Sequence, residues 1–302
     1  NRVTKGLYPP GSTFKPFMGM AALQSGQITP NTVLPAPGAW SIPGSRHQFR
    51  DSVRSGHGSA NLGKAIQVSS DTFFYRLGYE MGIEKAYPYL AHFGFGQPTG
   101  IDLPNEYKGI LPSPEWKARR FANSRSESAR QWKAADMVTI SIGQGYNAYT
   151  PLQMAHATAT LANNGVMYRP HLVRELIDHQ KQTRILVGIQ PSATLQFKPE
   201  YFTFVKQSME RVLRPGGTAW RVGVWLKYSM GGKTGTAQVV QIRQGASYNA
   251  AALAERHRDH AWFIAFAPAD NPKIAIAVLL ENGGWGANAA PVARQLADFY
   301  LL

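Results

Sequence analysis

Two short apolar runs near the end of the chain do most to limit its fold. They are AWFIAFAP (residues 261–268) and KIAIAVLLE (residues 273–281), and only the turn signal ADNP separates them. Such runs read as adjacent antiparallel strands of a buried sheet. The segment TAQVVQI (236–242) is rich in β-branched residues and reads as a further strand. APVARQLADFYLL (290–302) then reads as a closing helix that covers the sheet. The architecture expected is a mostly helical region followed by strands and a helix, in the mixed α+β class.

Upstream, the punctuation is helical. A helix fits from Ser12 to about Ser25, with Gly26 as its stop. Residues 27–60 are rich in Pro and Gly and read as irregular loops. LGKAIQVSS places Leu62, Ile66 and Ser69 or Ser70 on one helical face. A second helix starts at DTFFYRLGYEMG, with Ser70 or Asp71 as its N-cap. Residues 113–136 mix Arg, Lys, Ser and Glu with few apolar residues and read as an exposed, mobile segment. In YTPLQMAHATATLANNG, Thr150 is the N-cap, Pro151 sits at the first helical position, and Asn164 or Gly165 ends the helix. There is no internal repeat and no low-complexity tract.

Composition narrows the class. With 302 residues, 44% hydrophobic and 17% charged, the chain can bury a large core in one big domain or two smaller ones. It is neither disordered nor a coiled coil. There is no cysteine, which excludes disulfides and thiolate metal sites and suits an oxidising compartment such as a bacterial periplasm. The net charge of +14 allows nucleic acid, anionic lipid or an acidic polymer as partner. Nucleic acid is set aside, because the aromatic–basic interleaving of its binding modules is missing. No apolar run reaches the roughly 18 residues a membrane span needs. The chain shows no signal peptide and opens without Met, so it is expected to be part of a longer protein.

The chemistry concentrates in three places. In GSTFKP, Ser12 and Lys15 are three residues apart, on one helix face at the helix mouth. A serine hydroxyl is a weak nucleophile and needs a base, and a neutral lysine serves. Burial and the positive helix end both disfavour a charged amine. Pro16 falls in the first turn, where a missing N–H costs little, although it steers Lys15 away from the helical region. SSD (69–71) and KTGT (233–236) are the other two places. Gly235 weakens a strand unless something must approach the backbone, as a ligand lying along the strand edge would. Lys233 and the two threonine hydroxyls suit a carboxylate or a peptide backbone. Taken singly, each motif has a plain structural reading: an N-cap, a helix cap, and a turn before an ordinary strand.

Together, and in this order, the motifs match the signature of penicillin-binding proteins and serine β-lactamases. The chain resembles the transpeptidase domain of the class B penicillin-binding proteins. Among these it is most similar to the elongation-type members of Gram-negative bacteria, the penicillin-binding protein 2 group. The stretches NRVTKGLYPPGSTFKPF, SSDTFFYRLGYEMGI, GIDLPNEYKG, GQGYNAYTPLQMA, GGKTGTAQV, ERHRDHAWFIAFAP and LLENGG carry the resemblance across almost the whole chain. Asp71 favours the elongation type, since division-type relatives usually have asparagine there.

The resemblance implies an antiparallel sheet flanked by helices plus an all-helical subdomain. It implies one transpeptidase domain over residues 1–302. Residues 26–227 would be the mostly helical region carrying Ser-x-Asp, and residues 1–25 with 228–302 would supply the active-site helix, strands and closing helix. The family sheet has five strands, and the first two precede the serine helix. They are therefore expected upstream of this chain, with a membrane anchor and pedestal, in a periplasmic domain held to the inner membrane.

By the same resemblance the chain is a peptidoglycan D,D-transpeptidase of cell elongation and cell shape, and a β-lactam target. Ser12 would attack the penultimate D-Ala carbonyl of a stem peptide or a β-lactam, and an amine from a neighbouring strand would resolve the acyl-enzyme. Lys15 would be the base, Ser69 would relay the proton with help from Lys233, and Asp71 would hold Lys15 or the donor peptide. The backbone N–H groups of Ser12 and Thr236 would form the oxyanion hole. Thr234, Gly235 and Thr236 would bind substrate. Partners implied are stem peptides, β-lactams, a membrane glycan polymerase and elongation-complex scaffold proteins. Alternatives are a serine β-lactamase and a non-catalytic β-lactam sensor or scaffold.

No cofactor is implied. Some members carry a metal site built from two Asp, a His and a Cys. Asp51 and His57 occupy two of the matching positions, but the others are Ala36 and Ser70, so no metal is expected. His57 is expected to be an ordinary hydrogen-bonding loop residue, and His257 and His260 part of a basic surface.

Overall fold

The structure, a computed structural model, describes residues 1–239 and 253–302. The two apolar runs are the strands His260–Ala267 and Ile274–Leu280, paired antiparallel from Ala261 opposite Leu280 to Ala267 opposite Ile274. The first also pairs antiparallel with Gly231–Ala237, the Lys233 strand, so it is central and Ile264 faces both Lys233 and Ala277. Every residue from Ala261 to Ala267 is buried. Successive side chains of a strand point to opposite faces, so both faces of the sheet are covered here. The helices Pro151–Ala162 and Ala290–Leu301 pack against these strands and supply part of that cover.

The local signals that set the helices are visible in their caps. At Thr150 the hydroxyl accepts from the Gln153 N–H at 3.1 Å, and the Gln153 side chain accepts from the Thr150 N–H at 3.0 Å. This reciprocal capping satisfies two N–H groups the helix cannot pair internally, and Pro151 needs none. The serine helix, Lys15–Gln24, is buried from Lys15 through Leu23 and so has no solvent face. It crosses close to the helix Leu62–Val68, where a Cβ on Gly19 would stand 2.9 Å from Leu62 Cδ1. The helix Leu62–Val68 ends at Ser69, next to Lys15.

Several expectations change. The serine turn is a 3₁₀ turn, Gly11–Phe14, and the α-helix begins only at Lys15. Lys15 adopts helical angles (φ −57°, ψ −40°) in spite of Pro16. Residues 27–60 are not all loop: Val33–Ala36 pairs with Gly58–Asn61, and Ala39–Trp40 with Phe49–Arg50. Pairing partners this far apart leave no local signal. Residues 113–136 are mostly surface, as expected, but they are helical over Pro114–Arg120 and Glu127–Arg130, and Lys117 is buried. The Lys117 amine meets Asp136 at 2.6 Å and lies over the Tyr146 ring, which ties the segment to the body. In TAQVVQI the strand starts earlier, at Gly231, and residues 240–242 lie outside the described residues.

Candidate active site

The 3₁₀ turn holds Ser12 and Lys15 one turn apart, and the Lys15 N–H bonds to the Ser12 carbonyl. In a 3₁₀ turn residues three apart eclipse one another, so the two side chains leave the turn on the same side. Ser12 is half-buried and Lys15 is fully buried. The Lys15 amine donates to Asp71 Oδ1 at 2.7 Å, to the Ser69 carbonyl at 2.7 Å and to Ser69 Oγ at 3.3 Å. These use all three donors of an ammonium.

Ser69 ends the helix Leu62–Val68 in the left-handed region (φ 60°, ψ 39°). A non-glycine residue there costs about 1–3 kcal/mol, a strain typical of functional sites. The conformation turns both the carbonyl and the hydroxyl of Ser69 to the lysines. Lys233 Nζ donates to Ser69 Oγ at 2.8 Å and to the Thr234 carbonyl at 2.8 Å. The Ser69 hydroxyl therefore sits between two buried amines. Burial, followed by the charge of Lys15, holds the Lys233 amine well below the usual lysine range, with Asp71 opposing.

The strand and the serine turn are pressed together by missing side chains. A Cβ on Gly235 would lie 2.8 Å from the Pro10 carbonyl oxygen and 3.0 Å from the Thr13 nitrogen. A Cβ on Gly11 would lie 2.6 Å from the Thr236 carbonyl oxygen. Gly235 is thus a point of close backbone approach, with the serine turn against it. The loop at 143–145 closes the third side. The Gly143 carbonyl accepts from the Gly11 N–H at 2.9 Å, and Gln144 Nε2 donates to the Thr236 carbonyl at 3.0 Å. Thr234 Oγ1 pairs with Thr218 Oγ1 at 2.7 Å, and Thr236 Oγ1 accepts from the Gly286 N–H at 3.0 Å.

The penicillin binding protein transpeptidase domain matches residues 1–298. The chain belongs to this family. It is 41% identical over 303 residues to the peptidoglycan D,D-transpeptidase MrdA of Haemophilus influenzae, covering 100% of this chain and 45% of the relative. It is 43% identical over 305 residues to MrdA of Acinetobacter baumannii, covering 100% of this chain and 44% of that one. The chain thus spans a little under half the length of these relatives. Among solved structures, Pseudomonas aeruginosa PBP2 in complex with WCK 5153 superposes with a TM-score of 0.84 at 38% identity, covering 100% of this chain and 63% of that one. Helicobacter pylori PBP2, solved with MreC, gives 0.81 at 34% identity, covering 99% and 51%.

The three motif segments meet at one junction, where Lys15 bonds to Ser69 and Asp71, Lys233 bonds to Ser69, and Gly235 lies against the serine turn. Ser12, Ser69, Asp71 and Thr236 are half-buried, while Lys15 and Lys233 lie fully buried beneath them. Asp71 bonds to Lys15. Thr234 is turned to Thr218, a residue the motifs did not flag.

The pair Asp51 and His57 is a hydrogen-bonded unit, with His57 Nε2 3.2 Å from Asp51 Oδ1. Ala36 offers no ligand, and Ser70 Oγ donates to Asp51 at 3.1 Å. Two donor residues do not fit a tetrahedral zinc site. Among the described residues, no group of three or more His, Cys, Asp or Glu is placed to hold a metal ion. His257 is exposed, as expected of surface. His260 departs from that reading: it is half-buried, its Nδ1 accepts from the Asn282 N–H at 2.9 Å, and it meets the Tyr8 ring edge-on. Burial lowers its pKa.

Gly143, Gln144 and Thr218 carry no chemistry of their own and were missed as site residues. The signal for Gly143 and Gln144 in the sequence is two close glycines around a polar residue, in GQG (143–145).

Proposed function

We propose that the chain is the catalytic domain of a peptidoglycan D,D-transpeptidase that works through an acyl-enzyme on Ser12. The observation that carries this reading is the Ser69 hydroxyl held between the buried amines of Lys15 and Lys233, beside the serine turn. Acylation uses Lys15 in its neutral form: Ser12 Oγ attacks the carbonyl of the penultimate D-Ala, Lys15 Nζ takes the Ser12 proton, and the C–N bond to the terminal D-Ala breaks. Ser69 and Lys233 relay that proton to the leaving amine. An amine from a second stem peptide then takes the acyl group and frees Ser12. Asp71 steadies Lys15. The backbone N–H groups of Ser12 and Thr236 stabilise the oxyanion, and Thr234, Gly235 and Thr236 hold the carboxylate end of the donor peptide. A β-lactam enters the same path, but its leaving group stays tethered.

Residues 1–302 act as one catalytic unit, in which 26–227 presents Ser69 and Asp71 to the serine helix and to the strands of 228–302. In the whole protein this unit is a periplasmic domain anchored in the inner membrane, partnered by a glycan polymerase and by scaffold proteins. The solved complex of the Helicobacter pylori relative with MreC supports the scaffold. Among the described residues no helix is long and apolar enough to cross a membrane.

Intact mass with and without a penicillin tests the reading. One covalent adduct is expected on wild type and none on Ser12→Ala. An adduct on the variant would place the nucleophile elsewhere.

A further inference from the structure

The carboxylate of Asp51 lies beneath the Ser-x-Asp turn and is wholly shielded from solvent. Its Oδ2 accepts from the Asp71 N–H at 2.8 Å, the Ser70 hydroxyl at 3.1 Å and the Thr72 N–H at 3.2 Å, while the Thr72 hydroxyl donates to the Pro37 carbonyl at 2.7 Å. Its Oδ1 takes the Val53 N–H at 3.2 Å and His57 Nε2 at 3.2 Å. The Asp71 and Thr72 amides open the helix Asp71–Met81 and have no partner within it. Asp51, twenty residues away in sequence, is therefore the anion at the positive end of that helix. Burial favours its neutral form, but the Val53 N–H, the charge of Lys15, the Thr72 N–H and His57 outweigh it and keep the carboxylate ionised.

This arrangement has a consequence for Asp71. An aspartate at a helix start ordinarily has its own helix's amides within reach and competes for them. Here those amides are already taken, and the Asp71 carboxylate points the other way, to Lys15 at 2.7 Å. Ser70 contributes at the same point, with its hydroxyl donating to Asp51 and accepting from the Phe73 N–H at 3.4 Å.

We infer that Asp51 is a positioning residue of the acyl-transfer site: by occupying the helix-start amides it keeps the Asp71 carboxylate on Lys15. The inference rests on the acyl-transfer reading above. It gives a buried loop carboxylate, remote in sequence from the three motifs, a share in setting the base.

A double-mutant cycle on the intact protein tests it, using acylation by a fluorescent penicillin. Asp51→Asn is expected to slow the covalent step about tenfold, while the preceding non-covalent affinity stays within about twofold. In an Asp71→Asn background the same substitution is expected to cost less than about twofold, because the group it positions is already impaired. Losses in melting temperature from the two substitutions should simply add. If the acylation losses multiply, or if folded Asp51→Asn acylates at the wild-type rate, Asp51 only supports the fold and the inference is wrong. If Asp51→Asn does not fold, Ser70→Ala removes one donor and leaves the carboxylate in place. It should slow acylation about threefold alone and have no effect beside Asp71→Asn, and multiplied losses would again overturn the inference. Failure of wild type to acylate at all would instead strike the acyl-transfer reading.

Discussion

The helix side and the strand side of the site each deliver a buried lysine to the same serine hydroxyl, and they stabilise it by different means. Lys15 comes from a helix with no solvent face and is matched by a carboxylate at 2.7 Å. Lys233 comes from a strand held by the central strand, and its bonding partners are neutral oxygens, Ser69 Oγ and the Thr234 carbonyl. Burial and the neighbouring Lys15 charge push Lys233 towards its neutral form. A buried cation needs a partner, and among the described residues only one of the two has an anion bonded to it. The asymmetry lets the Ser69 hydroxyl connect an ion-paired amine to an amine that gives up its proton readily, as a relay requires.

Removing the ion-paired amine should have the largest effect. Lys15→Met is expected to slow penicillin acylation at least about a thousandfold, within the range for loss of a general base. It also leaves the half-buried Asp71 carboxylate against an apolar chain. Stopped-flow or gel labelling of the purified protein measures this. A loss of less than about tenfold would mean that the strand-side amine alone suffices.

Next in size is the contact that joins the two sides. In Gly235→Ala the new methyl meets the Pro10 carbonyl and the Thr13 nitrogen, which are backbone and cannot swing away. Overpacking of this kind costs about 1–3 kcal/mol, or a few degrees in melting temperature. Acylation should slow with it, because Ser12 moves relative to Lys233. Calorimetry beside labelling rates separates the two effects.

The smallest effect is on stability and depends on pH. An amine held below 10.5 in the fold binds fewer protons there than in the unfolded chain. Its contribution to stability therefore rises with pH, from the folded value up to 10.5. Lys233→Met removes that dependence. The variant should melt at or above wild type near neutral pH, since an unmatched buried cation is gone, and lose the advantage as pH climbs towards 10.5. A variant that melts lower than wild type throughout would show that Lys233 is well matched in the fold.

The legible parts of this molecule were those with local signals. The helix at Pro151 carried its cap, its proline and its stop within one stretch, and the strands at 261–281 were continuous apolar runs. The three motifs named the side chains that meet in the site. What could not be read was set by distant backbone. The purpose of Gly235 depends on Pro10 and Thr13, the ribbon at Val33–Ala36 on Gly58–Asn61, and the place of Gln144 on the Thr236 carbonyl. The charge of Lys117 points to the surface, but the side chain is buried, with its amine against Asp136 and the Tyr146 ring. Nothing in the sequence around Asp51 points to the amides of Asp71 and Thr72, twenty and twenty-one residues on.

The unlike state of the two amines is open to direct measurement. With ¹⁵N-labelled lysine, the side-chain resonance lost in Lys233→Met can be followed through a pH titration of wild type. A midpoint well below 10.5 is expected for that resonance. A Lys233 amine that stays protonated up to 10.5 would contradict it.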